Sequence, residues 1–408
     1  MKVAILMSAA WRAGMLRNAR ALAKLLSETT EREVEVVIGI RKDGPYDWKT
    51  LEGEFSGHEL ISLRRFHWES VAAADAAKIH GFEAPENPIL MAPRDGTYDF
   101  LDCDAWIIFS CSLEGFVVPC RPTGIFCADL IQKYVPEIFG GVDAQPMWAK
   151  QEETFRGWRS AKFVFSTTPA TRQDVIEYAR VPCERSILVP TLIDPLARSA
   201  TAQLGAPSPE LPSNFILWVT NASPHKNTKC AIEALKAYYE VLGGGLDVVI
   251  CGQDTEQLNP CADQRGVLAQ EFAREPTVLS HIKFVGEVSD GDYLNLVQSA
   301  AVVWHNVVVD NGTFVAFDAA RADRQFVSSD YSQMRYLCDK YGVVARFHPF
   351  SDPLLSANAL LAAESDFKAG TSPGHNLQGE SPGARTREYQ GLLTRLFETQ
   401  QMAKRNHE

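Results

Sequence analysis

The stretch Ala301–Asp330, AVVWHNVVVDNGTFVAFDAARADRQFVSSD, constrains the fold more than any other part of this chain. A β-type run, Val302-Val303-Trp304, leads to a turn-prone Asp310-Asn311-Gly312-Thr313. A helix-like segment follows from Phe314 to Ala322, then a second β-type run, Gln325-Phe326-Val327. Strand, glycine-containing loop, helix and strand form the context in which amides at a helix N-terminus hold phosphate. Asp310 stands just before this amide cluster, and Asp318 lies eight residues on, inside the helix. Neither carboxylate is well suited to touch phosphate, but both are able to accept hydrogen bonds from sugar hydroxyls beside it. The plain alternatives are a turn former at 310 and a solvated helix residue at 318.

A chain of 408 residues suits two domains of about 200, each with its own core. A net charge of −11 argues against generic binding to nucleic acid or to an anionic membrane. The nine cysteines show no C-x-x-C pairing and read as small core residues in a reducing cytosol. Met1 to Met7 is too short an apolar run for a signal peptide, and no segment approaches the roughly 20 apolar residues of a membrane span. These features point to a cytoplasmic location with at most peripheral membrane contact.

Taken in order, Lys2 to Met7 reads as a buried parallel strand, Ser8 to Gly14 as a loop and Met15 to Leu26 as a helix. This suits the first unit of a Rossmann-like domain, although Gly14 stands alone without a dinucleotide fingerprint. Val34 to Ile40 is a second strand, and 41–100 lacks clear periodicity and reads as an elaborated acceptor-side region. Asp104 to Phe109 gives another strand. Asp102-Cys103-Asp104 spells D-x-D, a weak metal signal better read as the opening of that strand. Pro195 to Pro212 reads as linker, and Phe215 to Val219 starts a second domain. Ser289 is the expected N-cap of a helix that begins with Asp290 and Asp292.

Six ordered blocks resemble retaining GT-B glycosyltransferases, especially glycosyltransferase family 4. Asp310-x7-Asp318 is similar to the family's E-x7-E region, with each side chain one methylene shorter and Asn311-Gly312-Thr313 in place of Gly-Phe-Gly. The run from Ile125 through Asp129-Leu130 to Pro136-Glu137 resembles its "HDL…YPE" segment, with Ala128 where the family has His. Phe163 to Asp194 resembles the passage that closes the first domain. Thr220 to Asn227 resembles "VGRxxxxKN", with Lys226 and Asn227 retained and Asn221 at the Arg position. Ser328-Ser329-Asp330 and the 343–353 region resemble two later blocks.

The resemblance implies an α/β GT-B fold: two Rossmann-like domains with parallel sheets facing across a cleft. The expected division is an acceptor-binding domain over 1–197, a linker over 198–212 and a nucleotide-sugar domain over 213–384. A helix over 385–408 is expected to cross back to the first domain. Amides of Gly312, Thr313 and Phe314 together with Lys226 would hold the diphosphate, and Asn311 belongs to the same loop. Asp310 would orient the sugar and Asp318 the ribose. Asn221, His225, Gly252 and Glu287 complete the donor-side set, with His225 a candidate replacement for the missing arginine. Asp129 is a candidate catalytic group, and Arg12 and Gly14 are acceptor-side candidates. No metal and no cofactor are implied, with a nucleoside-diphosphate sugar as co-substrate.

The implied activity is retaining transfer of a hexose-type sugar to a glycan or lipid-linked glycan, in the setting of bacterial lipopolysaccharide, capsule or exopolysaccharide synthesis. An epimerase or phosphorylase on the same architecture is one rival. A catalytically silent GT-B protein, acting as a partner or glycan-binding subunit, is the other. The three departures, Ala128, Asn221 and the Asp-for-Glu exchanges, motivate that second rival. Sugar, base, acceptor and oligomeric state have no sequence signature here.

Overall fold

The computed structural model describes all residues except 10–12, 29–32, 45–46, 56, 84–88, 111–115, 140–144, 193–210, 264, 312–313 and 378–408, save Arg387, Tyr389, Gly391 and Thr394 in the last span. Residues 198–210 of the expected linker, most of the expected terminal helix, Arg12, Gly312 and Thr313 therefore fall outside the described residues. The chain forms two compact units. One comprises Met1–Leu130, Val142–Leu192 and Glu380–Glu408; the other comprises Ile131–Gly141 and Ile193–Gly379.

The first unit is built on nine strands: β1 (Lys2–Met7), β2 (Glu35–Arg41), β3 (Ile61–Ala72), β4 (Ile89–Arg94), β5 (Ala105–Ser110), β6 (Phe116–Val117), β7 (Thr123–Cys127), β8 (Phe163–Ser166) and β9 (Ser186–Leu188). Their order across the sheet is β6-β4-β3-β2-β1-β5-β7-β8-β9. Every pairing is parallel except β3 with β4. The central strands are apolar on both faces because helices cover both sides. Val3, Ile5 and Met7 face one buried cluster, and Ala4 and Leu6 face the other.

The 41–100 region is more ordered than its composition suggests. It holds β3, a twelve-residue strand with scattered charges, whose second half turns away to pair antiparallel with β4. Only Ile61 and Phe66 of its twelve residues are buried, so the strand shows neither an apolar run nor a regular alternation. At the other end of the unit, Tyr389 is buried in the core and its hydroxyl donates to Pro190 O at 2.6 Å.

The second unit carries six parallel strands: β10 (Phe215–Val219), β11 (Asp247–Cys251), β12 (Ile282–Gly286), β13 (Val302–His305), β14 (Gln325–Ser329) and β15 (Arg346–His348). Their order is β12-β11-β10-β13-β14-β15. Phe215 and Leu217 pack into one core layer, while Ile216 and Trp218 pack into the other. Trp218 on β10 meets Trp304 on β13 with ring centroids 5.1 Å apart. Each such fully buried ring contributes about 2–3 kcal/mol, which fixes the relative height of the two strands.

Residues 131–141 belong to this second unit, although the sequence reading gave the whole of 1–197 to the first. The reason is packing: Ile131 and Val135 are buried among Phe215, Leu217 and Val315. Among the described residues, no helix is long and apolar enough to cross a membrane.

Candidate functional site

In the second sheet, the chain runs from β10 to β11 on one side and later returns to β13 on the other. Loops leaving the C-terminal ends of β10 and β13 therefore diverge in opposite directions, which is the switch point where open parallel sheets bind ligands.

The loop after β10 is tightly specified by its own sequence. Asn221 Oδ1 accepts from Ser223 N at 2.9 Å, closing an Asx turn. Pro224 starts a 3-10 turn, Pro224–Lys226, because its fixed φ suits the first position. Asn227 then takes a left-handed φ of 54°, which sends the chain into the helix Thr228–Lys236. Asparagine tolerates this conformation better than most residues. Lys226 is thereby presented at the junction of turn and helix.

The strand extension beyond β13 grips that turn from both sides. Val308 N donates to His225 O at 2.8 Å, and Asn306 Nδ2 donates to Asn227 O at 3.2 Å. The carbonyls flanking Lys226 are both held by the segment that goes on to Asp310. Ser329, at the end of β14, supports the grip by accepting Val307 N on its Oγ at 3.0 Å.

Two sequence candidates 84 positions apart are thus brought into contact: Lys226 Nζ donates to Asp310 Oδ2 at 2.7 Å. Their side chains are 13% and 15% exposed, so the pair is largely dehydrated while still reachable. Asp310 Oδ1 accepts from Asn311 N at 2.8 Å. Burial works against the charged carboxylate, but the Lys226 ammonium outweighs it and holds Asp310 well below the usual range. Asp310 is therefore an anion at neutral pH, suited to accept hydrogen bonds and unsuited to donate a proton.

His225 is buried, and its Nδ1 lies 2.8 Å from Ser223 Oγ. Burial, reinforced by the Lys226 ammonium, pushes its pKa down to about 4. That corrects the expectation that His225 replaces a missing arginine: at neutral pH it supplies a neutral imidazole. His305, at the end of β13, bonds Tyr331 Oη through Nε2 at 3.0 Å and is held neutral by burial, at about 3.

Asp318 sits on the inner face of the helix Phe314–Arg321 and is 2% exposed, so it is not the solvated residue its position alone allowed. Its Oδ2 accepts from Tyr293 Oη at 3.1 Å, and Arg321 lies 3.6 Å from Oδ1. Phe314 opens the same helix and is half-buried.

The remaining candidates are more dispersed. Gly252 follows β11 with φ at 137°, and a Cβ there would lie 2.0 Å from Thr220 O. Glycine is required because the loops after β10 and β11 touch at that point. Glu287 is exposed after β12, two strands from the Lys226 loop. In the first unit, Asp129 follows β7 and is half-buried beside the buried Ala128. Gly14 is an exposed residue of the helix Ala13–Ser27, with open space where a side chain would project.

The D-x-D at 102–104 has a structural use. Asp102 accepts from Lys2 and Arg64, and Asp104 Oδ2 accepts from Lys2 N at 2.9 Å. Asp290 and Asp292 start a helix capped by Ser289, whose Oγ accepts from Asp292 N at 3.1 Å. Among the described residues, no cluster of metal-ligating side chains occurs. Of the eight described cysteines, four are buried, but Cys183 and Cys261 are exposed, so core filling does not account for all of them.

Sequence reasoning missed Asn306 and Tyr293. The only trace of Asn306 was a polar pair, His305-Asn306, ending an apolar strand.

No family model matches the sequence, and no curated protein sequence matches it. Solved structures do match in shape. HepE from Anabaena, solved with UDP and glucose, superposes with a TM-score of 0.60 at 15% identity, covering 100% of both chains. Sucrose-phosphate synthase from Thermosynechococcus elongatus gives 0.59 at 14% identity, covering 100% of this chain and 99% of that one. The trehalose-6-phosphate synthase OtsA gives 0.60 at 12%, covering 97% of this chain and 99% of its own. At such identities the likeness establishes the fold, which is GT-B with two Rossmann-like units.

Proposed function

We propose that this chain is a retaining glycosyltransferase that moves a hexose-type sugar from a nucleoside-diphosphate sugar to a hydroxyl of a glycan or glycolipid. The observation that carries the reading is the Lys226–Asp310 pair at the switch point of the second sheet. A fixed, largely dehydrated ammonium stabilises the charge that grows on a departing diphosphate. The adjacent carboxylate accepts donor-sugar hydroxyls, and Asp318 is assigned to the ribose. Amides of Gly312, Thr313 and Phe314 complete the phosphate cradle.

In the reaction the bond from the anomeric carbon to the diphosphate oxygen breaks and its electron pair stays with the diphosphate. The acceptor oxygen bonds to that carbon as its proton passes to the departing diphosphate oxygen, and Lys226 holds the product anion. Asp129 and Gly14 with Arg12 are assigned to the acceptor side. That HepE is solved with UDP and glucose supports a uridine nucleotide as the first donor to try. The proposed setting is cytoplasmic synthesis of bacterial cell-surface polysaccharide, without a metal.

The test is release of nucleoside diphosphate from UDP-glucose and a panel of related donors, with glycolipid extracts as acceptor. Release by the wild type and its loss in Lys226→Ala is the expected result. A second reading, a silent GT-B protein, draws on Asn221, whose side chain closes a turn where the family places a cation. Tight nucleotide binding with no turnover of any donor decides for that reading.

A further inference from the structure

Resting on the reading of Lys226 as the diphosphate's cation, we infer that Asp310 is a built-in competitor for that cation. By this means the site discriminates a sugar-bearing donor from the bare nucleoside diphosphate left after transfer. Among the described residues, Asp310 is the one acceptor bonded to the Lys226 ammonium. The other carboxylate oxygen is already fixed by Asn311 N. Because Asp310 Oδ2 draws on Lys226, an arriving diphosphate has to share or take the same ammonium.

Sharing has an electrostatic cost that depends on what else arrives. A diphosphate that takes hydrogen bonds from Lys226 leaves Oδ2 without part of its donor in a partly dehydrated site. A donor sugar brings hydroxyl groups that replace the lost hydrogen bond. A bare diphosphate brings none. The carboxylate therefore weakens product binding more than donor binding, and it reclaims Lys226 when the sugar leaves.

Calorimetric titration of UDP, GDP, dTDP and ADP into the wild type first identifies the diphosphate that binds. Asp310→Asn preserves the acceptor for Asn311 N, and Asp310→Ala removes the group altogether. The inference predicts that both variants bind that bare diphosphate about three- to tenfold more tightly, the scale of one lost ion-pair competitor. In a Lys226→Met background, Asp310→Asn then changes affinity less than about twofold, since no shared cation remains. Weaker or unchanged binding in both single variants overturns the inference while leaving the diphosphate site intact. A gain that persists without Lys226 also overturns it, in favour of plain repulsion. A wild type that binds none of the four diphosphates defeats the underlying reading and this inference with it.

Discussion

Two lysine–aspartate clusters occupy opposite ends of parallel sheets in this molecule, and their coordination differs. Lys2 opens β1 and bonds Asp102 at 2.6 Å, while Arg64 clasps both Asp102 oxygens at 2.8 and 2.9 Å. Arg64 also reaches Asp95 at 2.7 Å, and Asp95 accepts the amides of Thr97, Tyr98 and Asp99. The Arg64 hydrogen bond, with Lys2 adding, holds the Asp102 carboxyl well below its usual range. Every carboxylate oxygen here is satisfied from within the unit, at the ends where β1 and β5 begin. Among the described residues Lys226, like Lys2, has a single side-chain acceptor, but no arginine clasps its partner Asp310, and the pair lies where β10 and β13 end. Saturation marks a structural clamp. A lysine–carboxylate pair at a switch point stands where open parallel sheets take ligands, which is why the proposed site is placed there.

The sharpest way to separate the two clusters is to remove the cation of the second. Lys226→Ala is expected to lower kcat/KM for the donor by about 10²–10³, roughly 3–4 kcal/mol of transition-state stabilisation. Steady-state kinetics beside a melting curve checks this, since the fold should survive. Acid separates them next. The buried His225 and His305 stay neutral in the fold while unfolded imidazoles take up protons below about 6.5. The unfolded state then binds more protons, so stability falls as pH drops from 6.5 towards 4 for His225 and towards 3 for His305. The loss is about 1–2 kcal/mol per histidine by pH 5. Asp102, with a lowered pKa, loses its contribution only below about 3.8. Calorimetry across pH 8 to 4 should show the second unit weakening first.

Asp102→Ala strips two cations of their shared carboxylate and should cost the first unit about 2 kcal/mol, read as a melting shift of several degrees. Nucleotide affinity should stay within about twofold, and a parallel loss of binding would collapse the distinction drawn between the clusters. Smallest of all, Asn306→Ala cuts the hydrogen bond to Asn227 O and lets the Lys226 turn relax. Donor KM should rise about three- to tenfold with kcat nearly kept, on the scale of one hydrogen bond.

Much of the fold was legible because buried parallel strands appear as continuous apolar runs, as in Phe215–Val219 and Asp247–Cys251. The legibility failed at β3, whose charges break the pattern, and at 131–141, where the core that claims Ile131 and Val135 lies far along the chain. The site was legible as separate residues. Lys226 and Asp310 each had an ordinary alternative, and only the crossover topology brings them to 2.7 Å. Burial, which no local pattern records, turned His225 from a candidate cation into a neutral group and took Asp318 out of solvent. Asn306 acts through a backbone carbonyl 79 positions away, which no motif encodes.

The central claim is that the switch point of the second sheet holds a nucleoside diphosphate through Lys226. Thermal melting with UDP, GDP, dTDP, ADP and CMP, on the wild type and on Lys226→Ala, tests it most directly. Ligand at about 100 times its dissociation constant adds about 2.7 kcal/mol, enough to raise melting by several degrees. The account predicts a rise with one diphosphate that vanishes in the variant. A rise of equal size in Lys226→Ala, or no rise with any of the five, contradicts it.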